Sequence, residues 1–137
     1  MSSWDPVDIN KVMVDRGSVI LRRSDKEPLV LTGKVTWLSG EPEAGKGMFA
    51  LRATEAELRR DHPVLYIDFE DVAGTAVDRL RKMGVPEANI SHLVYLHPQE
   101  PADEAKQQAL VELAAKHRTR LVVFDGVSQA LRLQGWN

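Results

Sequence analysis

The sequence contains no cysteine, which excludes disulfide bonds and metal sites built on thiolates. This absence suits a reducing compartment, and we expect a cytoplasmic protein. Long apolar runs are also missing, since none approaches the roughly 20 residues that a membrane-spanning helix needs. The segment from Met1 to Pro6 does not join a basic region to an apolar core, so it does not resemble a signal peptide. We therefore expect no membrane partner.

An excess of positive charge is absent as well. Lysine and arginine number 18 against 20 acidic residues, so the net charge is −2 and no global basic field indicates nucleic acid. The chain has 137 residues, of which 43% are hydrophobic and 28% charged, as expected for a domain with a real core. We expect one domain over residues 1–137, with an N-terminal arm and a hairpin in residues 1–32 and the core in residues 33–137.

The most informative stretch of the sequence lies between residues 34 and 51. Residues 35–38 form a short apolar run of β-branched and aromatic type, which predicts a buried strand. Residues 48–58 predict a helix. Between them, residues 40–46 match the phosphate-binding pattern G-x-x-x-x-G-K. Strand, glycine-bounded loop and helix therefore follow one another in the order that phosphate binding needs, although an ordinary strand-to-helix turn would use the same glycines.

The loop has the chemistry for a phosphate group. Glycines let successive backbone N–H groups point inward, and the helix N-terminus adds a partial positive charge. Lys46 places an ammonium group where it can reach the β- and γ-phosphates. Gly47 stands where the pattern asks for a serine or threonine to hold Mg²⁺. The predicted binding residues are Gly40, Glu41, Pro42, Glu43, Ala44, Gly45, Lys46, Gly47 and Met48.

The remaining elements are predicted from apolar runs, helical periodicity and turn residues. Two short strands in residues 18–23 and 29–31 predict a hairpin. Further strands are predicted at 64–69, 92–96 and 120–125, and further helices at 73–83 and from Asp103, as the N-cap, to His117. The helices have apolar faces formed by Ala76, Val77, Leu80 and Met83 and by Ala105, Ala109, Leu110, Leu113 and Ala114. Apolar strands that alternate with helices predict an α/β three-layer sandwich with a mostly parallel sheet.

Acidic residues follow two of these strands, and the carboxyl ends of parallel strands form the ligand-binding edge of a sheet. Asp125 comes after four apolar residues, so it either orients Mg²⁺ beside the phosphate or caps a turn with Gly126. Glu70 follows another strand and is a candidate general base, the alternative being a solvated acidic loop. Asp68 and Glu70 face the same side of an extended chain, where two close carboxylates would either raise the pKa of one of them or together attract a cation.

The motifs at residues 40–47, 66–71 and 121–126 together resemble the RecA-like P-loop ATPases of the AAA family, close to the hexameric RepA-type replicative helicases. The similarity runs from about Val19 to the end of the chain. It implies ATP and Mg²⁺ as ligands, Lys46 as the P-loop lysine, Glu70 as the catalytic base and Asp125 as the Walker B aspartate. It also implies a homo-oligomeric ring or filament that acts on single-stranded DNA or on a replication protein.

The sequence departs from this family in two respects. Gly47 replaces the magnesium-binding hydroxyl, and the family continues beyond Walker B into further strands, one of which lies beside the P-loop strand. We therefore expect a RecA-like core whose C-terminal strands are missing, unless the tail, an N-terminal strand or a second chain completes the sheet. The expected function is ATP binding with weak hydrolysis. The alternatives are a non-hydrolysing nucleotide-binding or interaction module and a small phosphotransferase, although no arginine-rich lid supports the latter.

Overall fold

A computed structural model describes residues 4–13 and 17–136; residues 1–3, 14–16 and 137, which belong to the predicted arm and tail, lie outside the described part. A 3₁₀ turn at Ile9–Lys11 precedes the regular elements. These are β1 (Val19–Arg22), β2 (Pro28–Leu31), α1 (Lys46–Leu58), β3 (Val64–Asp68), α2 (Ala73–Lys82), α3 (Glu87–Ile90), β4 (Leu93–Leu96), α4 (Glu104–Lys116), β5 (Leu121–Asp125) and α5 (Val127–Leu133).

The centre of the fold is a three-stranded parallel sheet in the order β4-β3-β5. In this register Val64 lies opposite both Leu93 and Leu121, and Asp68 lies opposite Asp125. The prediction of a mixed α/β fold with a parallel sheet is therefore confirmed. The predicted hairpin is also confirmed, because β1 and β2 form a separate antiparallel pair.

Strand β3 is the most deeply buried element, with all five of its residues inside the protein. Val64 and Tyr66 face one side and join a core with Leu51 and Leu58 of α1 and Leu80 of α2. Its middle position explains this burial, because β4 and β5 cover both of its edges. The predicted stripe on α2 is confirmed: its other members are Ala76, which is buried in this core, and Val77 and Met83, which pack against it.

The hairpin packs against α1 through a second, smaller apolar cluster. Ile20 and Val30 are buried against Ala53. Arg60, just after α1, donates to the backbone carbonyl of Ile20 at 3.0 Å. Arg120, just before β5, donates to Ser18 Oγ at 2.7 Å. Both arginines therefore tie the hairpin to the parallel-sheet part of the molecule.

The predicted strand at residues 35–38 is wrong. The structure has no strand between residues 34 and 40, and Val35 and Trp37 are 95% and 70% exposed. The expectation that Trp37 belongs to the core fails with it. A strand needs a neighbour for its backbone groups, and the described residues pair no strand with this segment. High β-propensity alone did not produce a strand here.

Two expectations about the C-terminal third also need correction. Helix α4 begins after Asp103, whose carboxylate accepts from the Lys106 backbone N–H as predicted for an N-cap. Its predicted inward face is only partly formed, because Leu110, Leu113 and Ala114 are half-buried while Ala105 and Ala109 are exposed. The residues after Gly126, predicted as a tail, form helix α5. No described helix is both long enough and apolar enough to cross a membrane.

Candidate functional site

The glycine-bounded loop leads directly into α1. Gly45 adopts a left-handed conformation with φ of +94°, which favours glycine, and Lys46 is the first helical residue. The Lys46 ammonium group donates to the backbone carbonyls of Gly40 and Glu41, each at 2.8 Å. The loop is therefore curled around its own lysine, and Lys46 must exchange these carbonyls for any phosphate that enters.

The first turn of α1 is open to an anion. The helix has no side-chain cap and no acidic residue in this turn. Its first backbone N–H groups have no partner within the helix, and the helix dipole makes this end partially positive. Together with the Lys46 ammonium, these N–H groups give the loop the polarity that phosphate oxygens require. Residues 40–45 are exposed, so a ligand can reach them.

Asp125 at the end of β5 faces the start of α1. Its Oδ2 atom lies 3.6 Å from the position that a Cβ atom on residue 47 would occupy. The same oxygen accepts a hydrogen bond from the Tyr66 hydroxyl at 2.8 Å. The carboxylate therefore stands beside the position that lacks a side chain. This is where an ion bound to the phosphates of a nucleotide would be in reach of Asp125.

Glu70 reaches the same edge of the sheet. A Cβ atom on Gly126 would lie only 2.5 Å from Glu70 Cγ, so the Glu70 side chain passes over the residue that follows Asp125. Gly126 has φ of +83°, a second reason for glycine at this position. Glu70 itself is exposed. The structure thus brings Gly47, Asp125 and Glu70 together; their functional roles stay predictions.

Asp68 accepts hydrogen bonds from the turn that follows β3 and from Tyr95. It is buried, at 4% exposure, and accepts from the backbone N–H groups of Glu70 and Asp71 at 2.9 and 2.8 Å. Its other oxygen accepts from the Tyr95 hydroxyl at 2.7 Å. Both oxygens of Asp68 thus hold protein donors, and the expectation that Asp68 and Glu70 share a cation stays a prediction. Asp68 fixes the turn that presents Glu70.

Two tyrosines behind the site were not predicted as functional residues. The rings of Tyr66 and Tyr95 stack with centroids 5.7 Å apart, and each hydroxyl donates to the aspartate at the end of a strand. Burial raises the pKa of both tyrosines, and the hydrogen bonds to Asp125 and Asp68 raise it further, so both remain protonated donors. The sequence did contain a signal for this role, since each tyrosine lies within an apolar strand. A tyrosine hydroxyl that is buried there needs a hydrogen-bond partner.

The donor set fits a magnesium ion held with a nucleotide better than an ion held by protein alone. Within residues 4–13 and 17–136, no group of three or more histidine and acidic side chains could hold a metal. Mg²⁺ keeps several waters and commonly binds through one or two carboxylates plus substrate phosphates. Asp125 beside an open phosphate loop offers this arrangement.

A comparison with protein-family models matches residues 21–135 to the family described as AAA domain. No curated protein and no solved structure matches the chain. The matched range contains the loop, Glu70 and Asp125, and it begins within the hairpin.

Proposed function

The chain belongs to the AAA domain family, and from this premise we propose that it binds ATP together with Mg²⁺ at the edge formed by residues 40–47, Glu70 and Asp125. The observation that carries the proposal is the approach of Asp125 Oδ2 to within 3.6 Å of the Cβ position of residue 47. It supports a geometry in which a phosphate-binding loop and an ion-orienting carboxylate act on one ligand.

Each residue has a distinct part in this proposal. The backbone from Gly40 to Met48 surrounds the phosphates, and the Lys46 ammonium moves from the carbonyls of Gly40 and Glu41 to the β- and γ-phosphates. Asp125 orients the hydrated ion. Mg²⁺, when bound, neutralises charge on the phosphate oxygens. Because the loop also carries Glu41 and Glu43, this neutralisation favours the nucleotide with its ion over the free nucleotide.

Hydrolysis is the second part of the proposal. Glu70 lies over Gly126 and is exposed, so its carboxylate is free to hold a water molecule against the γ-phosphate. We infer slow turnover, since Gly47 offers the ion no hydroxyl. The finer relationship that we propose is to the RecA-like, RepA-type ATPases, with a homo-oligomer acting on single-stranded DNA or a replication protein in the cytoplasm.

ATP binding is tested with Lys46→Ala. The exchange removes the one side-chain cation of the loop, so the affinity for ATP should fall at least tenfold in titration calorimetry. Lys116→Ala, at an exposed position near the end of α4, is the matched control and should leave the affinity unchanged. Equal ATP affinity in the wild type and the Lys46 variant would contradict the assignment of residues 40–47 as an ATP-binding loop.

Hydrolysis is tested with Glu70→Gln, which keeps the shape of the side chain but removes its basicity. Phosphate release should fall on the order of 10²-fold or more, while ATP affinity stays within about twofold of the wild type. Asp71→Asn, at a neighbouring acid whose carboxylate already holds Val72 N–H and the Thr75 hydroxyl, is the control. Turnover that survives in Glu70→Gln would remove Glu70 from the catalytic role.

The alternative is a nucleotide-binding module that does not hydrolyse its ligand, and Gly47 is the observation that favours it. A wild-type chain that binds ATP but releases no phosphate above the Glu70→Gln background would select this alternative. ATP binding is common to both readings, so the Lys46 experiment decides the shared part first.

A further inference from the structure

We propose that Tyr66 is a positioning residue for the magnesium ion, holding the Asp125 carboxylate toward residue 47 and so offsetting the hydroxyl that Gly47 lacks. The inference rests on the proposed function, because it concerns the ion of the same site. It assigns a role to the hydroxyl of a buried side chain in β3 that donates to Asp125.

The geometry identifies one oxygen atom. Asp125 Oδ2 accepts from the Tyr66 hydroxyl at 2.8 Å, and the same Oδ2 lies 3.6 Å from the Cβ position of residue 47. A carboxylate oxygen has lone pairs for two donors, so this bond leaves room for a water molecule of the hydrated ion. Tyr66 therefore selects which oxygen faces the loop and fixes the rotation of the carboxyl group.

The donor is itself rigid. Tyr66 is 2% exposed in the middle of β3, and its ring stacks on Tyr95. A tyrosine hydroxyl is protonated throughout the physiological range, so Tyr66 can donate to Asp125 Oδ2 at any such pH. Asp125, by contrast, ends its strand and is only half-buried. The ordered residue thus restrains the one with more freedom.

Gly47 makes this restraint matter. A serine or threonine at that position would hold the ion by its hydroxyl, and the ion would then depend less on the orientation of Asp125. With glycine there, Asp125 is the protein group that orients the ion in this proposal. Removing a group that hydrogen-bonds to an ion-binding side chain typically lowers metal affinity 10- to 100-fold. The loss of the Tyr66 hydroxyl should therefore have a measurable effect.

Tyr66→Phe is the test, and the structure supplies its own control in Tyr95→Phe. Both exchanges remove a hydrogen-bonded hydroxyl from one ring of the same stacked pair, but the second removes the hydrogen bond to Asp68. The quantity to measure is the ratio of ATP dissociation constants in EDTA and in Mg²⁺. In Tyr66→Phe this ratio should fall about tenfold, because the dissociation constant in Mg²⁺ rises while the dissociation constant in EDTA is unchanged. In Tyr95→Phe the ratio should keep its wild-type value.

The outcomes separate this inference from the proposed function. No ATP binding by the wild type contradicts the proposed function itself. Three outcomes overturn the role of Tyr66 alone: a wild-type ratio of dissociation constants in Tyr66→Phe, an equal fall of this ratio in both variants, or a ratio of one in the wild type.

If Tyr66→Phe does not fold, the hydroxyl proton of Tyr66 is followed by NMR in the wild type. It should shift when Mg²⁺ joins the ATP complex, and an unchanged resonance would contradict the inference.

Discussion

At the scale of single residues, two glycines of the site differ in whether a side chain would fit in their place. Gly126 combines a left-handed backbone with a contact so close that any Cβ atom would meet Glu70 Cγ at 2.5 Å. A Cβ atom on Gly47, in contrast, would lie 3.6 Å from Asp125 Oδ2, which is an ordinary van der Waals distance. Lack of space therefore does not explain why residue 47 is a glycine. Gly126 is thus required by packing, whereas Gly47 is not.

Gly126→Ala should both destabilise the protein and lower hydrolysis. The left-handed backbone costs a residue with Cβ roughly 1–2 kcal/mol, and the clash must also move Glu70. Gly135→Ala is the matched control, because Gly135 has φ of +79° but, apart from its chain neighbours, no atom of the described residues lies within 4 Å of its Cβ position. Urea unfolding should show the larger loss for Gly126→Ala, and only this variant should release phosphate more slowly. Equal losses in both would show that Glu70 does not lie against Gly126.

The loop and its acids could be predicted from the sequence because each is a local pattern. Glycine spacing marked the loop before α1, and an apolar run that ended in an acid marked Asp125. The partners of the acids could not be predicted, because Tyr66 and Asp125 are far apart in the chain and meet only through strand register. For the same reason the hydrogen bond from Tyr95 to Asp68 was not predicted.

At the scale of elements, the five strands and the three longer helices of the described residues overlap predicted segments, and one further predicted strand was wrong. The position after the glycine-bounded loop located α1, apolar periodicity located α2, and the Asp103 cap located the start of α4. A strand also needs a neighbour, which its own residues do not specify. This explains why residues 35–38 match a strand in composition and yet remain outside both sheets.

Trp37→Ala tests the corrected position of this segment. Because Trp37 is 70% exposed, its truncation should change the free energy of unfolding by less than about 0.5 kcal/mol. Leu65→Ala, in the fully buried β3, should cost on the order of 2–5 kcal/mol. Both values come from urea titrations followed by circular dichroism. A loss of several kcal/mol in Trp37→Ala would mean that the segment is packed as a strand after all.

At the scale of the whole molecule, separate parts of the chain converge on one edge of the parallel sheet. The loop before α1, the turn after β3 and the end of β5 supply Lys46, Glu70 and Asp125 respectively. A ligand that contacts all three connects these parts and must therefore favour the folded chain over the unfolded one. Stability in the presence of ligand consequently reports on the whole site.

The most direct test of the central claim is a thermal unfolding series of the 137-residue chain without ligand, with ATP and with ATP plus Mg²⁺. ATP at about 100 times its Kd should add roughly 2.7 kcal/mol to the free energy of unfolding. We predict a cooperative transition that ATP moves upward by several degrees and that Mg²⁺ moves further. A transition that is the same in all three conditions would contradict the assignment of this edge as a nucleotide site.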